Sequence, residues 1–177
     1  MSVDAARSVP SAWTENKDAY RDFLKDIGEI FVIVEIGVHY GYSLFSFAHD
    51  YPKALVFGVD NFSYGDSEGA RQHLETHVPG FKNIRILEMT SEQAAVRWQN
   101  PDHYLDIDVL HIDADHKYED VKADYDAWSK FVRPGGVIFF HDINSHAASV
   151  GKFFDELEGR KDKVDVGPGL GVLFKDA

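Results

Sequence analysis

The chain has 177 residues, 44% of them hydrophobic and 14% aromatic, with no cysteine and a formal net charge of −12. That length and apolar content suit one globular domain with a sizeable core, and the lack of thiols excludes disulfides, thiolate zinc sites and a cysteine nucleophile. The acidic balance disfavours nucleic acid as a partner, no apolar run approaches the ~20 residues of a membrane span, and MSVDAARSVPSAWTENKD lacks an apolar signal core, so no membrane or secretory role is expected and the cytoplasm is the default location.

Short apolar runs alternate with longer amphipathic ones. Residues 1–29 are read as an N-terminal arm or helix ahead of a domain spanning 30–177, with the first 16 either mobile or a helix over the pocket. IFVIVEIG (30–37) is continuous and β-branched, which predicts a strand buried on both faces. SLFSFAHDY (43–51) has helical spacing, with Leu44, Phe47 and Ala48 on one side. ALVFGVD (54–60) is a second strand. SEGARQHLETHV (67–78) is a helix closed by Pro79-Gly80, and NIRILEM (83–89) is a third strand. SEQAAVRWQ (91–99) is a short helix with Ser91 as N-cap, and DIDVLHID (106–113) is a fourth strand. KYEDVKADYDAWSKFV (117–132) is a long helix with a stripe of Val121, Tyr125, Trp128 and Val132, stopped by Arg133-Pro134-Gly135-Gly136. GVIFFHD (136–142) is a fifth strand, SVGKFFDELEG (149–159) a helix ended by Gly159, and KVDVGPGLGVLFK (163–175) two short strands around a Gly-Pro-Gly turn. The expected fold is α/β: a mostly parallel sheet of seven strands, helices on both faces, and an antiparallel C-terminal hairpin.

Such sheets bind ligands beyond the carboxyl ends of their strands. Polar residues stand there after every parallel strand: Glu35 and Gly37, Asp60, Thr90-Ser91-Glu92, Asp113 with Asp115 and His116, and His141 with Asp142. Four of the nine histidines, His103, His111, His116 and His141, fall between residues 103 and 141. The turn VEIGVHYGYS has Gly37 and Gly41, but a dinucleotide fingerprint would require glycine at His39 and Tyr42, and no Gly-Lys-Ser/Thr ending follows. A phosphate cradle is therefore disfavoured against a ligand with ribose and no phosphate chain. Asp60 lies at the right distance to grip ribose hydroxyls in a bidentate manner, or else caps a turn. Glu35 inside a buried strand must be paired or face a ligand, and an amine or sulfonium would suit it. S-adenosylmethionine carries ribose, amine and sulfonium.

VEIGVHYGYSL, GVDNF, HIDADHKYEDV and RPGGVIFFHD together resemble class I S-adenosylmethionine-dependent methyltransferases with a Rossmann-like, doubly wound sheet. The pattern is nearest to the catechol and caffeoyl-CoA O-methyltransferases and their small bacterial relatives, over roughly residues 30–145 plus the closing hairpin. The resemblance implies that Glu35, Gly37, Tyr42 and Ser43 surround the methionine part. It implies that Asp60 binds ribose with Asn61 beside it, that Ser91 and Glu92 border adenine, and that Asp113 sits beneath the methionine. In metal-dependent members the position of Asp113 is a ligand, completed by an acid and an amide after strand five. Here His141-Asp142 stands in their place, so Asp113, His141 and Asp142 form the candidate metal set. Oxygen-only donors favour magnesium, while an imidazole tilts towards a transition metal. The alternative is that His141 and Asp142 only form hydrogen bonds at a strand end.

The expected activity is O-methylation of a small hydroxylated molecule, metal-assisted or not. His116 is the first candidate base and His141 the second, with Asp113 facing the acceptor. His116 is equally read as a residue of the next helix start, and His103 and His146 as surface residues. Two other readings stay open: a non-catalytic S-adenosylmethionine-binding module, and a metal-dependent hydroxylase-like relative. The relatives usually have more N-terminal helices than this chain, so a homodimer partner is one way to supply a lid.

Overall fold

The computed structural model describes residues 3–9, 11–100 and 105–176; His103 lies outside them. The first strand, β1 (Val32–Ile36), is buried along its whole length, as its β-branched run requires. It is flanked by β2 (Leu55–Asp60) on one side and β4 (Ile107–Ile112) on the other. With β3 (Ile84–Glu88), β5 (Val132–His141), β6 (Arg160–Val164) and β7 (Leu170–Phe174) they form one sheet of order β3-β2-β1-β4-β5-β7-β6. Strands β1 to β5 are parallel, and β7 runs antiparallel to both β5 and β6. This is the Rossmann-like, doubly wound architecture expected from the alternation. The order reverses at β1 and β4, where such sheets open a crevice at their carboxyl edge.

Side chains on β1, β4 and β5 alternate between two cores. Ile33, Val109, Val137 and Phe139 face one core, together with Tyr20, Leu24, Leu44, Phe45 and Leu74. Those residues come from α2 (Lys17–Leu24), α3 (Tyr42–Asp50) and α4 (Ser67–His77). Val34, Ile36, Leu110, Ile138 and Phe140 face the other. It is filled by α5 (Ser91–Trp98), α6 (Tyr118–Trp128) and α7 (Lys152–Glu156). Ahead of α2, a short turn of helix, α1 (Val3–Ala6), buries Ala6, and a 3-10 turn covers Ala12–Glu15.

Several boundaries differ from expectation. The helix expected over 117–132 ends at Trp128, a 3-10 turn covers Ser129–Phe131, and β5 begins at Val132. Gly135-Gly136 therefore lies inside a strand and stops no helix. The cause is an ion pair: Arg133 Nε donates to the buried Asp108 Oδ1 (2.5 Å), and the register slips from Ile107↔Val132 to Val109↔Val137. Residues 133–136 form the resulting bulge. Ser91 is not the N-cap of α5. Thr90 takes that place in a capping box with Gln93. The segment expected as one helix over 149–159 starts as a π turn at Ala147–Gly151 and continues only to Glu156, so Gly159 does not end it.

Candidate active site

The glycine turn after β1 answers a packing demand. Gly37 has φ +87, and a Cβ there would lie 2.2 Å from the carbonyl oxygen of Asp113. Only glycine lets the loops after β1 and β4 meet so closely. Asp60, at the end of β2, closes the turn from the other side. Its Oδ2 accepts from the N–H groups of Val38 (2.8 Å) and His39 (2.8 Å), and its Oδ1 from Phe62 N–H (2.6 Å). His39 and Phe62 are held at φ +49 and +51, a left-handed conformation that costs non-glycine residues energy. With three backbone donors on one carboxylate, one lone pair on Oδ1 is left for a ligand. Asp60 thus caps a turn as well as facing the crevice, and a bidentate grip is not open to it in this conformation. Asn61 is exposed and its Oδ1 accepts from Ser63 N–H (3.0 Å).

Beneath this turn lies a buried polar row. Glu35 is 0% exposed and pairs across the sheet with His111, also 0% exposed. His111 Nδ1 lies 2.9 Å from Glu35 Oε1, the Ser43 hydroxyl donates to the same oxygen, and Glu35 Oε2 has no hydrogen-bond partner among the described residues. The far ring nitrogen of His111 lies 2.9 Å from the Tyr20 hydroxyl. Burial raises the Glu35 pKa, against the opposing pull of His111 and Ser43. Tyr42 is half-buried at the start of α3, with the Arg7 guanidinium 5.9 Å from its ring centre.

The carboxyl ends of β4 and β5 bring the remaining candidates together. His141, buried, has Nδ1 3.2 Å from Asp113 Oδ1 and 3.2 Å from Asp142 Oδ2, angled too poorly for hydrogen bonds. Burial works against a charged ring, yet the two carboxylates outweigh it and push the pKa of His141 up to about 10. His116 Nε2 lies 2.9 Å from Asp142 Oδ2, which raises its pKa. Burial would raise Asp142, but His116, His141 and Ser145 hold it well below the usual carboxylate range. Asp142 has φ +65, and its carbonyl accepts from the His146 N–H (2.9 Å), so the next turn folds back over the site. The His146 ring then stacks on His116 at 4.0 Å, 8° from parallel. His146, expected on the surface, is therefore a neighbour of the site. Asp113, His141 and Asp142 bring ligand atoms within 4.8 Å of one another, as do His116, Asp142 and His146, and Glu35, His111 and Asp113.

Ser91 and Glu92 begin α5 at the same edge. The Ser91 hydroxyl is committed elsewhere: it accepts from Trp128 Nε1 (2.9 Å) and lies beside the buried Asp124. Glu92 is exposed and lines an open groove with Met89, Gln93, Val96 and Arg97. Tyr20 and Asn16 were not among the residues singled out from sequence. The spacing of Tyr20, Phe23, Leu24 and Ile27 is the helical signal that would have found α2.

Residues 34–143, from the buried strand through Asp142, match the family described as Methyltransferase domain. The chain belongs to that family. This methyltransferase domain is 30% identical over 159 residues to an uncharacterized protein, y4gI, of Sinorhizobium fredii strain NGR234; the match covers 80% of this chain and 17% of that protein. Its fold is that of a Staphylococcus aureus protein assigned as a caffeoyl-CoA O-methyltransferase, with TM-score 0.72, 17% identity and coverage of 99% and 92% of the two chains. It is also similar to the O-methyltransferase of Bacillus cereus in complex with SAH (TM-score 0.68, 19% identity, 98% and 87% covered). TomG of Streptomyces achromogenes, an O-methyltransferase of tomaymycin synthesis in complex with SAM, gives 0.64 with 17% identity over 96% and 91%. The family drawn from the motifs is thus borne out. No helix among the described residues of this methyltransferase domain is long and apolar enough to cross a membrane.

Proposed function

We propose that the protein is an S-adenosylmethionine-dependent O-methyltransferase acting on a small hydroxylated molecule. The observation that carries this reading is Glu35: a fully buried carboxyl with one oxygen unpartnered, under a glycine turn in a methyltransferase-family chain. Such a group calls for a donor ligand, and the ammonium of a methionine tail meets the need. The cofactor supplies an electrophilic methyl group. Around it, Gly37, Tyr42 and Ser43 form the floor of the tail pocket, and Asp60 takes one ribose hydroxyl through Oδ1 with Asn61 beside it. Glu92, with the backbone of Ser91, borders the adenine.

His116 is the base. With Nε2 turned to Asp142, its Nδ1 is left to accept the proton of the acceptor hydroxyl, and Asp142 steadies the charged ring. Asp113 faces the acceptor and His141 stands beside both acids. Asp113, His141 and Asp142 fit a divalent cation: three donors converge, and neither ring nitrogen of buried His141 has an aligned partner. Such an ion, of transition-metal type given the imidazole, would supply charge that lowers the acceptor's pKa. Holding the acceptor in line with the methyl group does most of the rest.

Calorimetric titration with S-adenosylhomocysteine tests the cofactor site. Native protein should bind, and Asp60→Ala should weaken binding at least tenfold; equal affinity of the variant would remove Asp60 from the site. Turnover against a panel of phenols and other hydroxylated compounds, followed by release of S-adenosylhomocysteine, tests the reaction. His116→Ala should lose roughly 10²–10⁴ of the rate, and chelation should abolish turnover if the ion is required.

A further inference from the structure

The helix α2 lies outside the stretch that matches the family, yet it carries a second buried polar group without a partner. Asn16 is 1% exposed, and neither its amide oxygen nor its amide nitrogen has a hydrogen-bond partner among the described residues. It occupies the N-cap position of α2, where asparagine ordinarily turns its oxygen onto a first-turn N–H. Here φ is −111 and ψ 0, and the side chain makes no capping bond. A buried amide with both ends unsatisfied requires an explanation.

Its place in the fold supplies one. The far end of α2 meets the amino edge of the sheet, where Arg133 donates to the Ile27 carbonyl (3.3 Å). Its near end meets the carboxyl edge, where Glu15 packs against Gly167. The loop holding Gly167 also offers the Gly169 and Pro168 carbonyls that anchor the N–H groups of Asp142 (3.1 Å) and Asn144 (2.8 Å). So α2 runs antiparallel to β1 and starts at the ligand edge. One turn beyond Asn16, on the same face, Tyr20 reaches His111, and His111 reaches Glu35.

We propose that α2 forms one wall of the cofactor site, with the Asn16 amide binding the amino-acid tail of S-adenosylmethionine and Tyr20 acting as a positioning residue for Glu35 through His111. The inference rests on the cofactor reading above. The tail is a zwitterion. Its carboxylate needs an N–H donor, which Asn16 Nδ2 provides; its ammonium needs acceptors, which Glu35 Oε2 and Asn16 Oδ1 provide. Tyr20 fixes the imidazole tautomer. With its hydroxyl donating to His111 Nε2 at 2.9 Å, the ring proton sits on Nδ1 and is directed to Glu35 Oε1, where Ser43 also donates. Both donors occupy one oxygen and leave the other for the ligand.

Two ligands separate this role from simple packing. S-adenosylhomocysteine has the tail, and 5′-methylthioadenosine has the same adenosine and thioether without it. In calorimetric titrations Asn16→Ala should weaken S-adenosylhomocysteine about tenfold, and Asn16→Asp, which keeps the size and opposes the carboxylate, should weaken it further. Tyr20→Phe should weaken it about fivefold, and should add nothing in a Glu35→Gln background. None of these variants should change 5′-methylthioadenosine binding by more than twofold. The proposal is overturned if Asn16→Asp and Tyr20→Phe bind S-adenosylhomocysteine like the native protein, or if both ligands weaken together. If native protein binds neither ligand, the cofactor reading fails and this inference falls with it; if native protein binds both and the variants do not discriminate, only this inference fails.

Discussion

Gly37 is a residue where the chain cannot carry a side chain. A methyl group there meets the Asp113 carbonyl, and the backbone must also hold φ +87. Gly37→Ala should cost about 3 kcal/mol or more, as strain plus overpacking, and would push Asp113 away from the turn. Urea unfolding, read with cofactor titration, checks both effects; a variant as stable as the native chain would mean that the loops after β1 and β4 can part. The glycine was legible in the sequence as a turn marker, but its reason was not, because the close neighbour is 76 residues away. Asp60 shows the same limit. Its position announced a ribose acid, yet three backbone N–H groups share its carboxylate, and a string of letters does not display backbone donors. His146 was hidden because a left-handed Asp142 and the turn after it bring its ring back over His116.

Among the elements, α5 and α6 are joined where Trp128 Nε1 donates to the Ser91 hydroxyl, beside the buried Asp124. Burial is the chief reason that Asp124 is raised to about 6, and Ser91 only partly offsets it. The unfolded chain gives up this proton at an ordinary aspartate pKa, so the folded state binds more protons between about pH 4 and pH 6. Its ionisation therefore removes stability as pH rises through that window. Asp124→Asn keeps the size of the side chain without the charge. It should be more stable than the native chain by on the order of 2 kcal/mol at pH 8, with the advantage shrinking through pH 6 and gone below pH 4. Urea melts of both proteins across that range measure it, and an advantage independent of pH would mean that another group is responsible. The helices themselves were legible from periodicity. Their ends were less so: Thr90 displaced Ser91 because a capping box satisfies two N–H groups at once. The long helix stopped at Trp128 because Asp108 draws Arg133 into the sheet.

At the scale of the molecule, the mostly parallel sheet, its antiparallel C-terminal hairpin and the helices on both faces followed from alternation of buried strands with amphipathic helices, whereas the strand order came from the structure and α2 was read only as part of an N-terminal arm or helix. Its Tyr20 packs edge-on against Phe139, His111 and Phe47, so one aromatic ring touches two strands and a helix. Deleting residues 1–25 should uncover that face of β4 and β5; the shortened chain should aggregate or melt without cooperativity, whereas a sharp transition near the native Tm would show α2 to be dispensable for folding. The other end of the chain matters in a different way. β7 is inserted beside β5, and the turn before it holds Asp142 and Asn144 through the carbonyls of Gly169 and Pro168. Synthesis proceeds from the N-terminus, so β1 to β4 can pair before β7 has been made. The acid and histidine that close the site have no support until that strand emerges. The binding edge is thus completed only once β7 is in place, and a chain stalled short of that strand would hold the glycine turn with nothing opposite it.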